Sequence, residues 1–311
     1  MILLALVALQ EPADEPPGRF GPFAARTLSV FQSFRGGFIP PVPTTLRPGQ
    51  SEAAVTGSWG NLWGANEDDW IVDYEAFDTD VRLSHAFNGR ISATCSYEQT
   101  TRFGGRLDTL IERFHDVTHA EQRRREDFPR NQRHFNVDPR DSNGPLSFDS
   151  GGVFARSVTV EGQVTLIPDV AFSAALRHGS SDDIRVARVN AMISLSAVHT
   201  FGALHIWFSL CVSWYGPGDF DGVALRPFVM SALIAFEWRV APGLSFILQD
   251  LITAGPFDLY DNLSRPAQEL VIGWKIEASP GVVVEAGVLE NYMKPDNCPD
   301  FGFQGGIRFR W

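Results

Sequence analysis

The chain has 311 residues, of which 44% are hydrophobic and 20% are charged, so it can bury a substantial apolar surface and is not expected to be disordered. Its formal net charge of -11 disfavours nucleic acid as a partner, because phosphate contacts need a basic face. No internal apolar run reaches the roughly 18–20 residues that a membrane-spanning helix needs. The most apolar run, 201–214, is too short and is interrupted by His205. If this chain crosses a membrane, it crosses as strands.

The N-terminal part divides into an apolar run over residues 1–9 and a polar, proline-rich stretch that follows it. This order is typical of a secretory signal peptide, although the usual positively charged start is missing. We predict a signal peptide over residues 1–17 and a proline-rich arm over 18–51. The arm is expected to lie on the periplasmic side or to dip into the lumen of a barrel formed by 52–311.

From about residue 52 onward the hydrophobic pattern has a period of two, which indicates half-buried strands. Apolar and polar residues alternate in 91–98, and the same alternation recurs in 158–166 and 269–277. The pattern predicts about twelve antiparallel strands in an all-β chain. The predicted strands are 52–63, 70–87, 90–103, 152–167, 170–179, 184–200, 203–215, 224–240, 244–254, 266–278, 282–292 and 300–311.

The connections between these strands alternate in length. Very short turns, such as Asn88-Gly89 and Pro168-Asp169, alternate with long polar connections, such as 104–151 and 255–265. Short turns at one rim and long loops at the other are typical of outer-membrane barrels. An even number of strands also places both chain ends on the short-turn rim. We therefore predict a transmembrane β-barrel in the bacterial outer membrane, in contact with its lipid.

The last strand and the aromatic residues support the same prediction. Aromatic residues alternate through the last strand, which ends at Trp311, and this ending resembles the signal read by barrel-assembly machinery. Other aromatic residues lie near predicted strand ends, where they would form two interfacial belts. Near the long loops these are Trp59, Trp63, Trp70, Trp214 and Tyr292, and near the short turns Phe87, Phe201, Trp238 and Trp311.

The polar face of the strands carries acids and bases in about equal number. Buried charges are costly unless they pair with each other or line water. Two interpretations stay open: a closed interior joined by ion pairs, or a narrow pore for a small polar or amphipathic solute. The predicted lumen-lining residues are Asp78, Asp80, Arg82, Arg90, Glu98, Glu161, Arg177, Arg188, Glu237, Arg239, Glu269, Lys275, Glu277, Glu285, Arg308 and Arg310.

Enzymatic function has little support in the sequence. The nucleophile elbow, the P-loop and the dinucleotide-binding glycine pattern are all missing. A membrane lipid hydrolase is kept as an alternative, because some membrane barrels of this size hydrolyse lipids. No catalytic residue and no cofactor is assigned.

The long connection 104–151 contains apolar residues at helical spacing, Leu107, Leu110, Ile111 and Phe114. They predict a short amphipathic helix that caps or enters the barrel mouth. Glu112, His115 and His119 share one face of this helix, with a spacing that can bind a transition metal. Because no fourth ligand is evident, solvated histidines on a docked helix are the favoured interpretation.

Four segments carry a resemblance to a known family: 70–75, 104–108, 111–116 and 128–132. They resemble an uncharacterised bacterial family, domain of unknown function 3187, whose members look like outer-membrane barrels with a similar Ile-Glu-x-Phe-His helix. The resemblance implies export and a membrane barrel and supplies no activity. It also makes Glu112, Phe114, His115 and Asn131 a candidate site on the long loop.

Overall fold

The computed structural model describes residues 19–29, 32–33, 35–66, 70–118, 134–137, 146–147, 151–181, 187–220, 223–257, 264–291 and 298–311. The predicted signal peptide lies outside these residues. Twelve long strands are present: β1 (Ser51–Asn66), β2 (Trp70–Ala86), β3 (Ile91–Phe103), β4 (Gly152–Ile167), β5 (Val170–Ser181), β6 (Val189–Phe201), β7 (Leu204–Trp214), β8 (Phe228–Ala241), β9 (Leu244–Thr253), β10 (Ala267–Ser279), β11 (Val282–Glu290) and β12 (Phe301–Arg310). Two pairs of short strands are also present. His134–Val137 pairs with Leu146–Ser147, and Asp219–Phe220 pairs with Val223–Ala224. One helix, α1, spans Asp108–Thr118.

The twelve long strands form a closed antiparallel barrel. Each pairs with its neighbour along the chain, and β12 pairs back onto β1 from Glu52↔Arg310 to Asn61↔Phe301. Closure satisfies the backbone hydrogen bonds that an open sheet edge would leave unpaired in lipid. The prediction of a twelve-stranded barrel is confirmed. The starts of two strands differ by several residues. β6 begins at Val189, where the prediction began at 184, and β8 begins at Phe228, because Val223–Ala224 belongs to a separate hairpin.

The outer face of the barrel is apolar. Along each strand exposed hydrophobic side chains alternate with buried polar ones, as in Val158 and Val160 against Ser157 and Thr159. This is the reverse of a soluble barrel and matches a protein whose outside faces lipid.

Aromatic residues occupy the short-turn end of this face. The side chains of Phe87, Phe201, Trp238 and Trp311 are all exposed there. At the long-loop end Trp214 is also exposed, whereas Trp63 is buried and does not contribute to a belt. Among the described residues, no helix is long and apolar enough to cross a membrane.

Helix α1 packs against the long-loop ends of β1, β2 and β12. Leu107 and Ile111 form a buried cluster with Phe301, against which Trp59 packs. Glu75 accepts hydrogen bonds from the backbone N–H groups of Arg106 and Leu107 at the start of the helix. Side chains alternate between the two faces of a strand, and those of Phe77 and Phe303 are exposed on the outer face. Glu75 and Phe301 lie two residues from them and so face outward, as does Trp59, which pairs with both Phe77 and Phe303. The first turns of α1 therefore cover the outward side of the strands and do not enter the barrel mouth.

Candidate functional site

The described part of residues 19–50, here called the internal segment, runs inside the barrel. It starts at the short-turn rim, where Arg19 forms an ion pair with Asp169 at 2.8 Å. It reaches the long-loop end, where Arg35 Nη1 donates to the backbone oxygen of Arg226 at 2.8 Å. The chain then turns at Gly36, whose φ of 60° favours glycine, and returns to the short-turn rim before β1. The segment therefore fills much of the lumen as an extended hairpin.

Inward-facing side chains supply the hydrogen bonds that this irregular backbone needs. A buried backbone polar group without a partner is costly, and the many prolines of the segment reduce the number of donors to satisfy. Glu237 accepts from the N–H groups of Phe20 and Gly21, at 2.8 and 3.1 Å. Lys275 Nζ donates to the carbonyl of Pro22 at 2.6 Å. Charges that sequence analysis assigned to the lumen thus bind the internal segment.

Arg26 is the strongest electrostatic link between the segment and the wall. Its guanidinium forms ion pairs with Asp78 and Glu98, and the latter contact is 2.5 Å long. Glu98 also accepts from the hydroxyl of Ser157 at 2.7 Å. The middle of the segment is therefore fixed to β2, β3 and β4.

A second ion-pair cluster lies nearer the short-turn rim. Glu285 contacts Lys275 at 2.8 Å and Arg308 at 2.7 Å, and Arg308 also donates to the carbonyl oxygens of Phe20 and Pro22. Arg310 pairs with Glu52 at 2.7 Å across the β1–β12 seam. The contacts of Glu285 and Arg308 join β10, β11 and β12 to the internal segment, and the Arg310–Glu52 pair adds β1.

Most of the predicted lumen residues have side chains inside the barrel, and three do not. Those that are buried are Asp78, Asp80, Glu98, Arg177, Glu237, Glu269, Lys275, Glu285 and Arg308, and those that are half-buried are Arg82, Glu161, Arg239 and Arg310. The predictions for Arg90, Arg188 and Glu277 are corrected, because these side chains are exposed. Arg90 lies in the turn before β3 and Arg188 lies before β6. Glu277 lies beside a register shift at the short-turn end of β10.

Arg26 and Arg35 are interior residues that sequence reasoning missed. Both belong to the proline-rich arm, which was expected on the periplasmic side or in the lumen without assigned contacts, and both are at most 4% exposed. The sequence did indicate an unusual environment for these two residues, since each is an isolated cation within the otherwise largely apolar stretch 20–43. A cation in such a stretch needs a counter-charge or water, and a charged lumen provides both.

The candidate site on the long loop is described only in part. Glu112 is buried within α1. The backbone of Phe114 and His115 belongs to α1, but their side chains, and the whole of His119 and Asn131, lie outside the described residues. The metal hypothesis for Glu112, His115 and His119 therefore stays a prediction. Within the described part, no three His, Cys, Asp or Glu side chains are grouped to hold a metal ion.

Three cavities follow one another along the inner wall formed by β2–β5. A groove at the short-turn rim lies between Arg19, Pro43 and Pro168, and it shares Pro43, Thr44 and Leu46 with an inner cavity of about 130 Å³. Glu98 is shared in turn with an upper cavity of about 10 Å³, beside Arg35. The inner cavity has room for several water molecules, and the upper one for about one.

The inner cavity has two chemically different walls. The barrel side is polar and includes Arg82, Thr159, Glu161 and the serine and threonine residues of β2 and β3. The side formed by the internal segment is apolar and consists largely of Phe20, Phe38 and the prolines of 40–43. Such a cavity can contact the polar and the apolar part of one small molecule at once.

A closed antiparallel barrel with an apolar outer face, a charged interior and an internal segment defines a membrane β-barrel of the outer-membrane type. The chain belongs to the family described as protein of unknown function (DUF3187), whose model matches residues 1–311.

One solved structure with the same fold is an outer-membrane channel. The COG4313 outer membrane channel from Pseudomonas putida F1 has a TM-score of 0.56 and 11% identity, covering 86% of this chain and 97% of that chain. The NanC porin has a TM-score of 0.47 and 12% identity, covering 83% and 98%. At these identities the likeness concerns the fold alone. No curated protein matches the sequence.

Proposed function

We propose that this protein is a narrow channel of the bacterial outer membrane, which admits small polar or amphipathic solutes along the wall formed by β2–β5. The line of cavities from the short-turn rim to the level of Arg35 is the observation that carries the proposal. The path is narrowest near Arg26 and Glu98, where the internal segment is fixed to the wall. The channel name of the structural neighbour from Pseudomonas putida agrees with this role.

The lipid and assembly contacts belong to the same proposal. Lipid would cover the exposed apolar face, with Phe201 and Trp238 at its short-turn edge. The barrel-assembly machinery would recognise β12, after which Trp311 exchanges backbone hydrogen bonds with Ser51 across the closing seam. A strand that closes the barrel is a suitable recognition point for assembly.

A closed binding or structural barrel is the second candidate function. The observation that favours it is the internal segment, which makes hydrogen bonds to β4, β8, β10 and β12 and occupies much of the lumen. This candidate predicts a folded protein that conducts no ions.

Single-channel conductance of the refolded full chain in a planar bilayer tests the proposal. We expect small discrete steps for the native protein and a several-fold smaller conductance for Thr159→Phe, because Thr159 lines the inner cavity. The matched control is Val160→Phe on the next residue, which is 58% exposed on the lipid face and should leave the conductance unchanged.

The folded state of each variant is checked by its heat-dependent mobility in gel electrophoresis. Folded native protein without steps would favour the closed barrel. Steps that Thr159→Phe and Val160→Phe alter equally would show that the conduction path does not follow this wall.

A further inference from the structure

Two buried arginines lie together at the upper end of the internal segment, next to the upper cavity. Arg35 belongs to the segment and Arg177 to β5, and they are 4% and 1% exposed. Arg177 Nη2 donates to the backbone oxygen of Arg35 at 2.6 Å, which brings two guanidinium-bearing residues into direct contact. Two like charges removed from water at this proximity repel each other unless a negative charge lies between or beside them.

The described residues supply no such negative charge. Neither arginine takes part in a salt bridge among them. Glu98 acts on Arg177 electrostatically, but its carboxylate is already bound by Arg26, Ser157 and Thr159. The neutral partners of Arg35, Gln32 and the carbonyl of Arg226, satisfy hydrogen bonds without balancing charge.

Several donors of the pair are also unused. The Nε and Nη1 atoms of Arg177 and the Nη2 atom of Arg35 are buried and have no hydrogen-bond partner among the described residues. Water would satisfy these N–H groups but would leave both positive charges uncompensated. An anion would supply acceptors and charge together.

The surroundings leave space on the side of the upper cavity. Arg35 and Gly36 line this cavity, and a Cβ atom on Gly36 would lie 3.2 Å from Arg177 Nη1, so glycine leaves room beside that donor. On the other side, Arg35 stacks over the ring of Tyr215 at 4.4 Å and Arg177 over that of Phe38 at 4.7 Å. The rings hold both guanidinium groups in position without neutralising them.

Both guanidinium groups stay charged, because arginine does not lose its proton in proteins.

We propose that Arg35 and Arg177 form a binding site for a small free carboxylate. Three unused donor nitrogens on two planar cations require several acceptor lone pairs, which the two oxygens of a carboxylate provide and a single halide ion does not match in geometry. The upper cavity is very small, so only a carboxylate with a very small substituent would enter. The site is independent of whether the barrel conducts.

The test uses the full-length protein in detergent and measures its thermal unfolding midpoint by gel mobility at fixed ionic strength. Sodium acetate is compared with sodium gluconate, a carboxylate too bulky for the cavity, and with sodium chloride. A ligand that binds only the folded state raises the midpoint, here by about 2 °C or more at concentrations well above its dissociation constant. We expect this rise with acetate only.

Two variants complete the test. Arg177→Gln should abolish the acetate effect, and in gluconate it should not lower the midpoint below that of the native protein, because it removes an unbalanced charge. Arg47→Gln is the matched control, since Arg47 lies on the same segment but is exposed, and it should keep the full rise. Equal midpoints in acetate and gluconate, an equal effect of chloride, or a rise that survives in Arg177→Gln would overturn the proposal.

Discussion

At the scale of single residues, several charged side chains of the interior contact both the wall and the internal segment. Lys275 shows this most clearly, because it is fully buried, pairs with Glu285 and donates to the carbonyl of Pro22. Its ammonium also lies 4.9 Å from the centre of the Phe23 ring. Such a residue contributes to the stability of the barrel and to the placement of the segment at the same time.

Replacing Lys275 with methionine should therefore destabilise the protein. Removing one partner of a buried ion pair typically costs about 3–5 kcal/mol, and we expect the lower end because Arg308 still contacts Glu285 at 2.7 Å. Denaturant unfolding in lipid vesicles measures the loss. The neighbouring change Ile276→Met, on the lipid face, should cost less than about 1.5 kcal/mol. Equal losses for the two variants would contradict an ion-pair role.

At the scale of elements, the described contacts of α1 with the barrel lie at the N-terminal end of the helix. Glu75 accepts two backbone N–H groups there and also the indole N–H of Trp59 at 2.7 Å. A carboxylate is favourable at this position because the N-terminus of a helix carries partial positive charge. Leu107 and Ile111 add apolar contacts in the same place.

Glu75→Ala should release α1 from the strands while the barrel stays closed. The variant leaves the N–H groups of Arg106 and Leu107 and the Trp59 indole without their acceptor, at about 1–3 kcal/mol for each group that stays buried. Hydrogen exchange should become faster in 106–113 and stay unchanged in β6–β9. Val81→Ala on the same strand serves as the control, because its side chain is exposed on the outer face. Unchanged exchange in α1 would show that the apolar contacts alone attach the helix.

At the scale of the whole molecule, the barrel is inverted relative to a soluble protein, with charges inside and hydrophobic residues outside. Leu176 near the middle of β5 is 63% exposed, and Phe201 at the short-turn end of β6 is 57% exposed. The two side chains are similarly exposed but lie at different heights along the barrel. Substitutions at these positions therefore test where the membrane lies.

Arginine at these two positions should have unequal effects. At the middle of a bilayer a lipid-facing arginine costs about 2–4 kcal/mol, and near the interface about 0–1 kcal/mol. Leu176→Arg should thus lower the free energy of unfolding in vesicles much more than Phe201→Arg. Similar effects for both variants would mean that the barrel is not inserted at the depth that its outer face indicates.

Much of the fold could be predicted from the sequence because each strand carries its own local pattern. The alternation in 91–98, the short turn at Asn88-Gly89 and the long connection 104–151 are all visible without coordinates. That the side chains of Glu98 and Lys275 point into the barrel follows from the same alternation. Arg90 and Arg188 were misplaced because they lie in connections, where strand parity no longer determines the direction of a side chain.

The sequence by itself determined that this chain forms a membrane barrel, because the period of two and the alternating connection lengths are local properties of neighbouring residues. Only the tertiary structure decided that the internal segment lies inside it and that Arg35 meets Arg177. These contacts join positions that are far apart in the chain, and the internal segment has no regular period that could indicate its partners. Its path depends instead on the charges that twelve strands present together to the lumen, and that arrangement exists only once the barrel has closed.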